Sequence, residues 1–131
     1  MDRVIADLRQ YRNSSPKPRD VVIFSKDGTF YIKRVVAVGG DTIEGKDGAI
    51  FVNSQRLNEP YIQHLGNVSL VPTEFGPVEI APGELFVMGD NRDVSRDSRM
   101  KDFGLVPEKT VAGEALYIIR SKWSRIGNDL R

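Results

Sequence analysis

The chain alternates short apolar runs with compact clusters of turn-forming residues, and nowhere does it hold a long helical period. The runs Val21 to Ser25, Thr29 to Val38, Ala49 to Val52, Val78 to Ile80, Leu85 to Met88 and Val111 to Ile119 are rich in Val, Ile, Phe or Tyr. Their brevity and β-favouring composition predict strands. Between them stand Lys26-Asp27-Gly28, Gly39-Gly40, Lys46-Asp47-Gly48 and Pro82-Gly83. Asp-Gly favours two-residue hairpins, because both residues tolerate the positive φ that such turns require. The pattern predicts an all-β fold of mainly antiparallel sheets with little helix.

Two segments are less regular. Arg3 to Arg12 puts Val4, Leu8 and Tyr11 on one side of a helix but runs towards Pro16 and Pro18, so a strand and turn fit it as well. Asn58 to Pro77 is interrupted by Pro60, Gly66, Pro72, Gly76 and Pro77 and reads as a long connection or flap over the sheet. With 131 residues and no internal repeat, the chain is read as one domain over 1–131, large enough to bury a core without metal or disulfide staples.

Strict alternation along the longest run places Tyr31, Lys33, Val35 and Ala37 on one face and Ile32, Arg34, Val36 and Val38 on the other. Lys33 then has apolar neighbours on its own face. A strand lysine ordinarily snorkels to water and keeps its charge. Held against apolar surface it loses hydration, and bringing its pKa from ~10.4 to near neutrality costs the charged form about 4 kcal/mol. A neutral amine near pH 7 is what a general base requires.

The second polar anomaly directly follows the run Leu85 to Met88. Gly89-Asp90-Asn91-Arg92-Asp93-Val94-Ser95-Arg96-Asp97-Ser98-Arg99 packs opposite charges and hydroxyls at a density that a solvated turn does not need. It predicts a loop that builds a site.

Composition narrows the chemistry. Lys and Arg total 19 against 18 for Asp and Glu, a net charge of +1, with no basic stripe of the kind that tracks nucleic acid. Nucleic acid is therefore not an expected partner. There is no Cys and only one His, His64, which argues against a thiolate or His-rich metal site and against a Ser-His dyad; no metal or cofactor is expected. No run approaches the ~20 apolar residues of a spanning helix, and the N-terminus lacks the apolar centre of a secretory signal.

The strand carrying Lys33-Arg34, closed by Gly39-Gly40-Asp41, and the loop Gly89 to Arg99 together resemble type I signal peptidases, membrane-anchored Ser/Lys proteases. One box of that family reads Lys-Arg, apolar residues and a Gly-Asp turn. Another reads Gly-Asp-Asn-Arg-Asp-Asn-Ser-x-Asp-Ser-Arg, which this chain matches except at Val94. A third, Arg-Gly-Asp before a β-run, is echoed by Arg19-Asp20-Val21-Val22-Ile23-Phe24 without the Gly, and the likeness reaches Trp123-Ser124-Arg125-Ile126-Gly127.

The resemblance implies roles. Lys33 becomes the general base that activates a serine, and Ser95 the hydroxyl that orients the lysine. Asp97 and Arg99 become a bracing ion pair, for which a planar guanidinium suits a carboxylate better than an ammonium would. Gly89 becomes a glycine whose missing Cβ lets backbone and substrate approach. Asp90, Asn91, Arg92, Asp93 and Ser98 complete the supporting set; for Asp90, Arg92 and Asp93 the choice between holding the loop and simple solvation stays open.

One departure bears on activity. The family's nucleophile lies in a Ser-Met-x-Pro-Thr-Leu box followed by Gly-Asp and a β-run, and Met1-Asp2-Arg3-Val4-Ile5-Ala6-Asp7 resembles the region after it, with Met1 where the Gly would be. The nucleophilic serine, with the oxyanion donors of its segment, is thus expected upstream of Met1. Ser14, Ser15, Ser25, Ser54, Ser69, Ser98, Ser121 and Ser124 lack that context. Retention of Lys33 and Ser95 favours truncation over natural loss of activity, and residues 1–131 alone are expected to be inactive.

The complete form is expected to remove signal peptides from exported preproteins at the outer face of a bacterial cytoplasmic membrane. Its expected partners are signal peptides and the lipid surface, with Val4, Ile5, Leu8, Tyr11, Tyr61 and Phe75 as candidates for an apolar contact patch or for core. The alternatives are a pilus or conjugation maturation peptidase with the same dyad, and a non-catalytic module that binds extended peptides at a sheet edge.

Overall fold

A computed structural model describes residues 3–9, 11, 14–61, 73–93 and 95–119. His64, Val94 and the segment from Trp123 to Gly127 lie outside them. Among the described residues, ten strands form two antiparallel sheets. The first holds β1 (Arg3–Asp7), β2 (Val21–Lys26), β3 (Thr29–Val38), β8 (Glu84–Met88), β9 (Val106–Pro107) and β10 (Val111–Ile119), in the spatial order β1-β10-β2-β3-β8-β9. The second holds β4 (Thr42–Lys46), β5 (Ala49–Val52), β6 (Gln55–Arg56) and β7 (Phe75–Glu79), in the order β6-β5-β4-β7. The only helical piece among the described residues is a 3-10 turn at Glu108–Thr110.

Turn chemistry explains the hairpins. Asp27-Gly28 and Asp47-Gly48 both have two positive φ angles, at 52° and 79° and at 53° and 75°, and join β2 to β3 and β4 to β5 with the two-residue geometry their sequence predicts. Asn53-Ser54, at 51° and 68°, does the same for β5 and β6. That turn carries no glycine, and β6 was not expected.

Other expectations need adjustment. Arg3–Asp7 is a strand paired with β10, which decides between helix and strand. β7 starts at Phe75, three residues before the expected Val78. β4 was not expected, since its sequence Thr-Ile-Glu-Gly-Lys mixes charge with a strand glycine. Gly45 is tolerated there because a Cβ would lie 2.5 Å from the Phe75 ring and 2.7 Å from the Thr73 carbonyl oxygen. The short β9 was also missed.

The alternation drawn along β3 holds only as far as Val35. The β3–β8 ladder pairs Val35 with Val87 and then Ala37 with Phe86, so Val36 is an extra residue at a bulge. Beyond it the faces exchange. Val35, Val22, Phe24, Leu85, Val87, Phe103 and Val106 form one buried cluster, with Tyr31 and Val38 packed against it. Val36 and Ala37 instead join Ile43, Ile50, Ile80, Phe86 and Met88 in the second. The first sheet thus has a core on each face, and the second sheet contributes to only one of them.

Candidate active site

β3 and β8 run side by side, and the middle of β3 and the end of β8 bring the two polar segments to one place. The register sets Arg34 opposite Met88, so one step along the ladder Lys33 comes level with Gly89, where the loop begins. Lys33, though charged by nature, is wholly buried. Its Nζ lies 3.3 Å from Ser95 Oγ, and 6.0 Å from the centre of the Tyr31 ring. Ser95 is equally buried. Its Oγ also accepts the Gly89 N–H at 3.0 Å, and that same N–H reaches Asp97 Oδ2 at 3.1 Å.

The loop is held by its own side chains. Arg99 donates through Nε to Asp97 Oδ1 and through Nη2 to Asp97 Oδ2, each at 2.9 Å, the parallel fork that a guanidinium offers a carboxylate. The Arg99 backbone N–H adds a third bond to Asp97 Oδ1 at 3.1 Å, and Nη1 reaches the Arg92 carbonyl at 2.9 Å. Ser98 pairs with β8 at Val87, which β9 does not reach: its Oγ accepts the Val87 N–H and its own N–H donates to the Val87 carbonyl, both at 3.0 Å. The Asn91 carbonyl accepts the Ser95 N–H at 3.1 Å, closing the loop. Asn91 Oδ1 is buried without a hydrogen-bond partner among the described residues.

The loop's charged residues Asp90, Arg92 and Asp93 are all buried rather than solvated. Asp90 accepts two bonds from Arg34, from Nε at 2.9 Å and from Nη2 at 2.8 Å. Burial works against the charged Arg34, but the hydrogen bond and charge of Asp90 outweigh it and raise its pKa. Arg92 donates from Nε to the Gly89 carbonyl at 2.8 Å and forks onto Glu59, Nη1 to Oε1 at 3.0 Å and Nη2 to Oε2 at 2.6 Å.

Three contributors escaped the sequence reading. Arg34 had a signal, because an arginine inside an apolar strand demands a carboxylate and the loop carries Asp90, Asp93 and Asp97. Glu59 and Tyr61 had none in their irregular segment. The Tyr61 ring lies 3.9 Å from the Arg34 guanidinium, and its hydroxyl donates to Glu59 Oε2 at 3.1 Å. Burial, and then the charge of Glu59 and the bond to it, push the Tyr61 phenol up to about 12.

Three of the proposed patch residues are engaged elsewhere, and the side chains of Val4 and Ile5 lie outside those described. Phe75 stacks on Phe86 at 5.4 Å between centroids, Tyr61 lies under Arg34, and Tyr11 packs on the first core while donating to Asp20 Oδ2 at 2.8 Å. Leu8 is exposed at 65%, together with Phe30 at 70% and Leu116 at 55%. Among the described residues no group of His, Cys, Asp or Glu is arranged to hold a metal, and no helix is long and apolar enough to cross a membrane.

An amine held against a hydroxyl, both withdrawn from water and gripped by a loop braced through its own side chains, is an arrangement suited to moving a proton. Comparison with known proteins gives the family. Residues 1–120 match the family model described as "Signal peptidase, peptidase S26", and the chain belongs to that family. It is 38% identical over 109 residues to signal peptidase I of Bacillus licheniformis, covering 78% of this chain and 58% of that protein. To signal peptidase I of Mycobacterium tuberculosis (strain H37Rv) it is 32% identical over 173 residues, covering 93% and 59%. The chain therefore spans less than two thirds of these relatives' length. The crystal structure of a signal peptidase I from Enterococcus faecalis V583 superposes with a TM-score of 0.62 at 27% identity, covering 79% of this chain and 98% of that one.

Proposed function

We propose that the chain is the catalytic part of a serine endopeptidase that removes signal peptides from exported preproteins with Lys33 as general base. The observation that carries this is the buried contact between Lys33 Nζ and Ser95 Oγ at 3.3 Å, formed by residues that match two boxes of the family. Burial disfavours an ammonium relative to a neutral amine. A neutral amine donating one N–H to Ser95 Oγ has its lone pair turned elsewhere, which is the orienting task assigned to Ser95.

Ser95 is a poor nucleophile itself, being fully buried and already accepting the Gly89 N–H. The nucleophile is instead a serine supplied upstream of Met1, in the box that precedes the strand matching residues 2–7. Its oxygen attacks the scissile carbonyl while Lys33 takes its proton. The resulting ammonium returns that proton to the leaving amine, and water activated by the same lysine hydrolyses the acyl-enzyme. Asp97 and Arg99 brace the loop, with Gly89, Asp90, Asn91, Arg92, Asp93 and Ser98 around them.

The reaction takes place at the outer face of a bacterial cytoplasmic membrane, on signal peptides emerging from lipid. The exposed apolar side chains Leu8, Phe30 and Leu116 support a surface contact there. The test is cleavage of a preprotein by the product of the complete reading frame and by its Lys33→Ala variant. The first should cut and the second should not. A complete product that binds the signal peptide but leaves it intact refutes the peptidase reading in favour of a peptide-binding module, and robust cutting by residues 1–131 alone refutes the upstream nucleophile.

A further inference from the structure

The segment Asn58 to Tyr61 is tied to the loop by more charge than a connection between strands requires. Glu59 and Arg92 each expose only 6% of their side chains. Withdrawing both ions from water costs several kcal/mol apiece, which only close, bidentate pairing offsets. Arg19 reaches the same segment from another side, donating from Nη2 to the Asn58 carbonyl at 2.8 Å and lying 5.9 Å from the Tyr61 ring centre. Arg19 does so from a left-handed backbone, at φ 81°, a conformation that costs a non-glycine residue energy and persists where its surroundings enforce it.

We propose that Glu59, steadied by Tyr61, is a positioning residue that fixes both peptide planes of Gly89 and, through them, the Ser95 hydroxyl. A glycine is the freest point in a backbone, and here each side of it is anchored. The Arg92 Nε holds the Gly89 carbonyl at 2.8 Å, while Ser95 Oγ and Asp97 Oδ2 share its N–H at 3.0 and 3.1 Å. One planar guanidinium serves both Gly89 and Glu59, so Arg92 cannot swing towards water without releasing the carbonyl. The Glu59 fork at 2.6 and 3.0 Å keeps it from swinging, and the Tyr61 hydroxyl at 3.1 Å holds the carboxylate in turn.

This inference rests on the peptidase reading for its kinetic consequence but not for its structural one, so the test has two readouts. In the product of the complete reading frame, Glu59→Gln should lower kcat about 10-fold with KM changed less than about 2-fold, and should shift the acid limb of the kcat profile against pH. Amide exchange at Gly89 and Ser95, measured without substrate, should quicken about 10-fold. Tyr61→Phe, which removes one hydroxyl and leaves the ion pair, should move both readouts in the same direction by about 2- to 3-fold. Unchanged exchange in folded Glu59→Gln overturns the proposal whether or not the protein cuts preproteins. So does a kcat loss that only follows the folded fraction, with the pH profile unmoved. If Glu59→Gln does not fold, unchanged exchange in Tyr61→Phe overturns it. A wild-type protein that cuts nothing, with exchange quickened in the variants, sinks the peptidase reading alone.

Discussion

Lys33 Nζ and Ser95 Oγ, 62 residues apart in the chain, meet at 3.3 Å in a place from which water is excluded. The contact pairs a strand with a loop, so the amine is held by a partner that belongs to a different element. Ser95→Ala in the complete protein should therefore lower turnover about 10²-fold. The fold should persist, because the Gly89 N–H keeps Asp97 Oδ2 as acceptor at 3.1 Å. Steady-state kinetics with a circular dichroism control measures this, and a wild-type rate removes Ser95 from the mechanism.

Asp97 should behave differently. Its carboxylate is fully buried against an Arg99 side chain that is 3% exposed, so Asp97→Ala strands a buried guanidinium and costs about 3–5 kcal/mol. Chemical denaturation reads it directly. A loss below 1 kcal/mol would place the pair in effective contact with solvent.

Arg19, next to Asp20 in a stretch that echoes the Arg-Gly-Asp box without its Gly, has a φ of 81°, a conformation that favours glycine. Its side-chain bond to Asn58 is exposed and contributes little. Arg19→Gly should raise stability by about 0.5–1 kcal/mol as the relieved backbone outweighs the added freedom of the unfolded chain. A lower melting temperature would show that the bond to Asn58 outweighs the strain.

Glu114 sits opposite Asp7 in the β1–β10 ladder. Its pKa is raised by burial and then by the charges of Asp20 and Asp7, with Lys17 working in opposition. A carboxyl that holds its proton more tightly when folded adds stability below its unfolded pKa, and that contribution is lost as pH rises through the raised native value. Glu114→Gln should thus be more stable than wild type near neutral pH, with the gain shrinking as pH falls through the glutamate range. Melts across pH 3 to 8 check the sign; a gain that grows towards acid would refute it.

How much of this was legible in sequence depends on how local each feature is. The Asp-Gly turns and the strand from Thr29 to Val38 follow from neighbours a few residues apart, and both are found; the Asp97–Arg99 pair is what the resemblance implies, and the two side chains do meet. The bulge at Val36 is a property of the pairing with β8, invisible in β3 alone, which is why Ala37 and Val38 were assigned to the wrong faces. Gly45 reads as a strand breaker until Phe75 is placed over it. Glu59 is one acid among many until Arg92 is seen beside it.

The extra residue at Val36 also ties the two cores to each other. β3 satisfies both cores only in one register, since Val35 and Val38 pack with the first cluster and Val36 and Ala37 with the second. The two layers therefore depend on one pairing, that of β3 with β8, and neither core can shift along it alone.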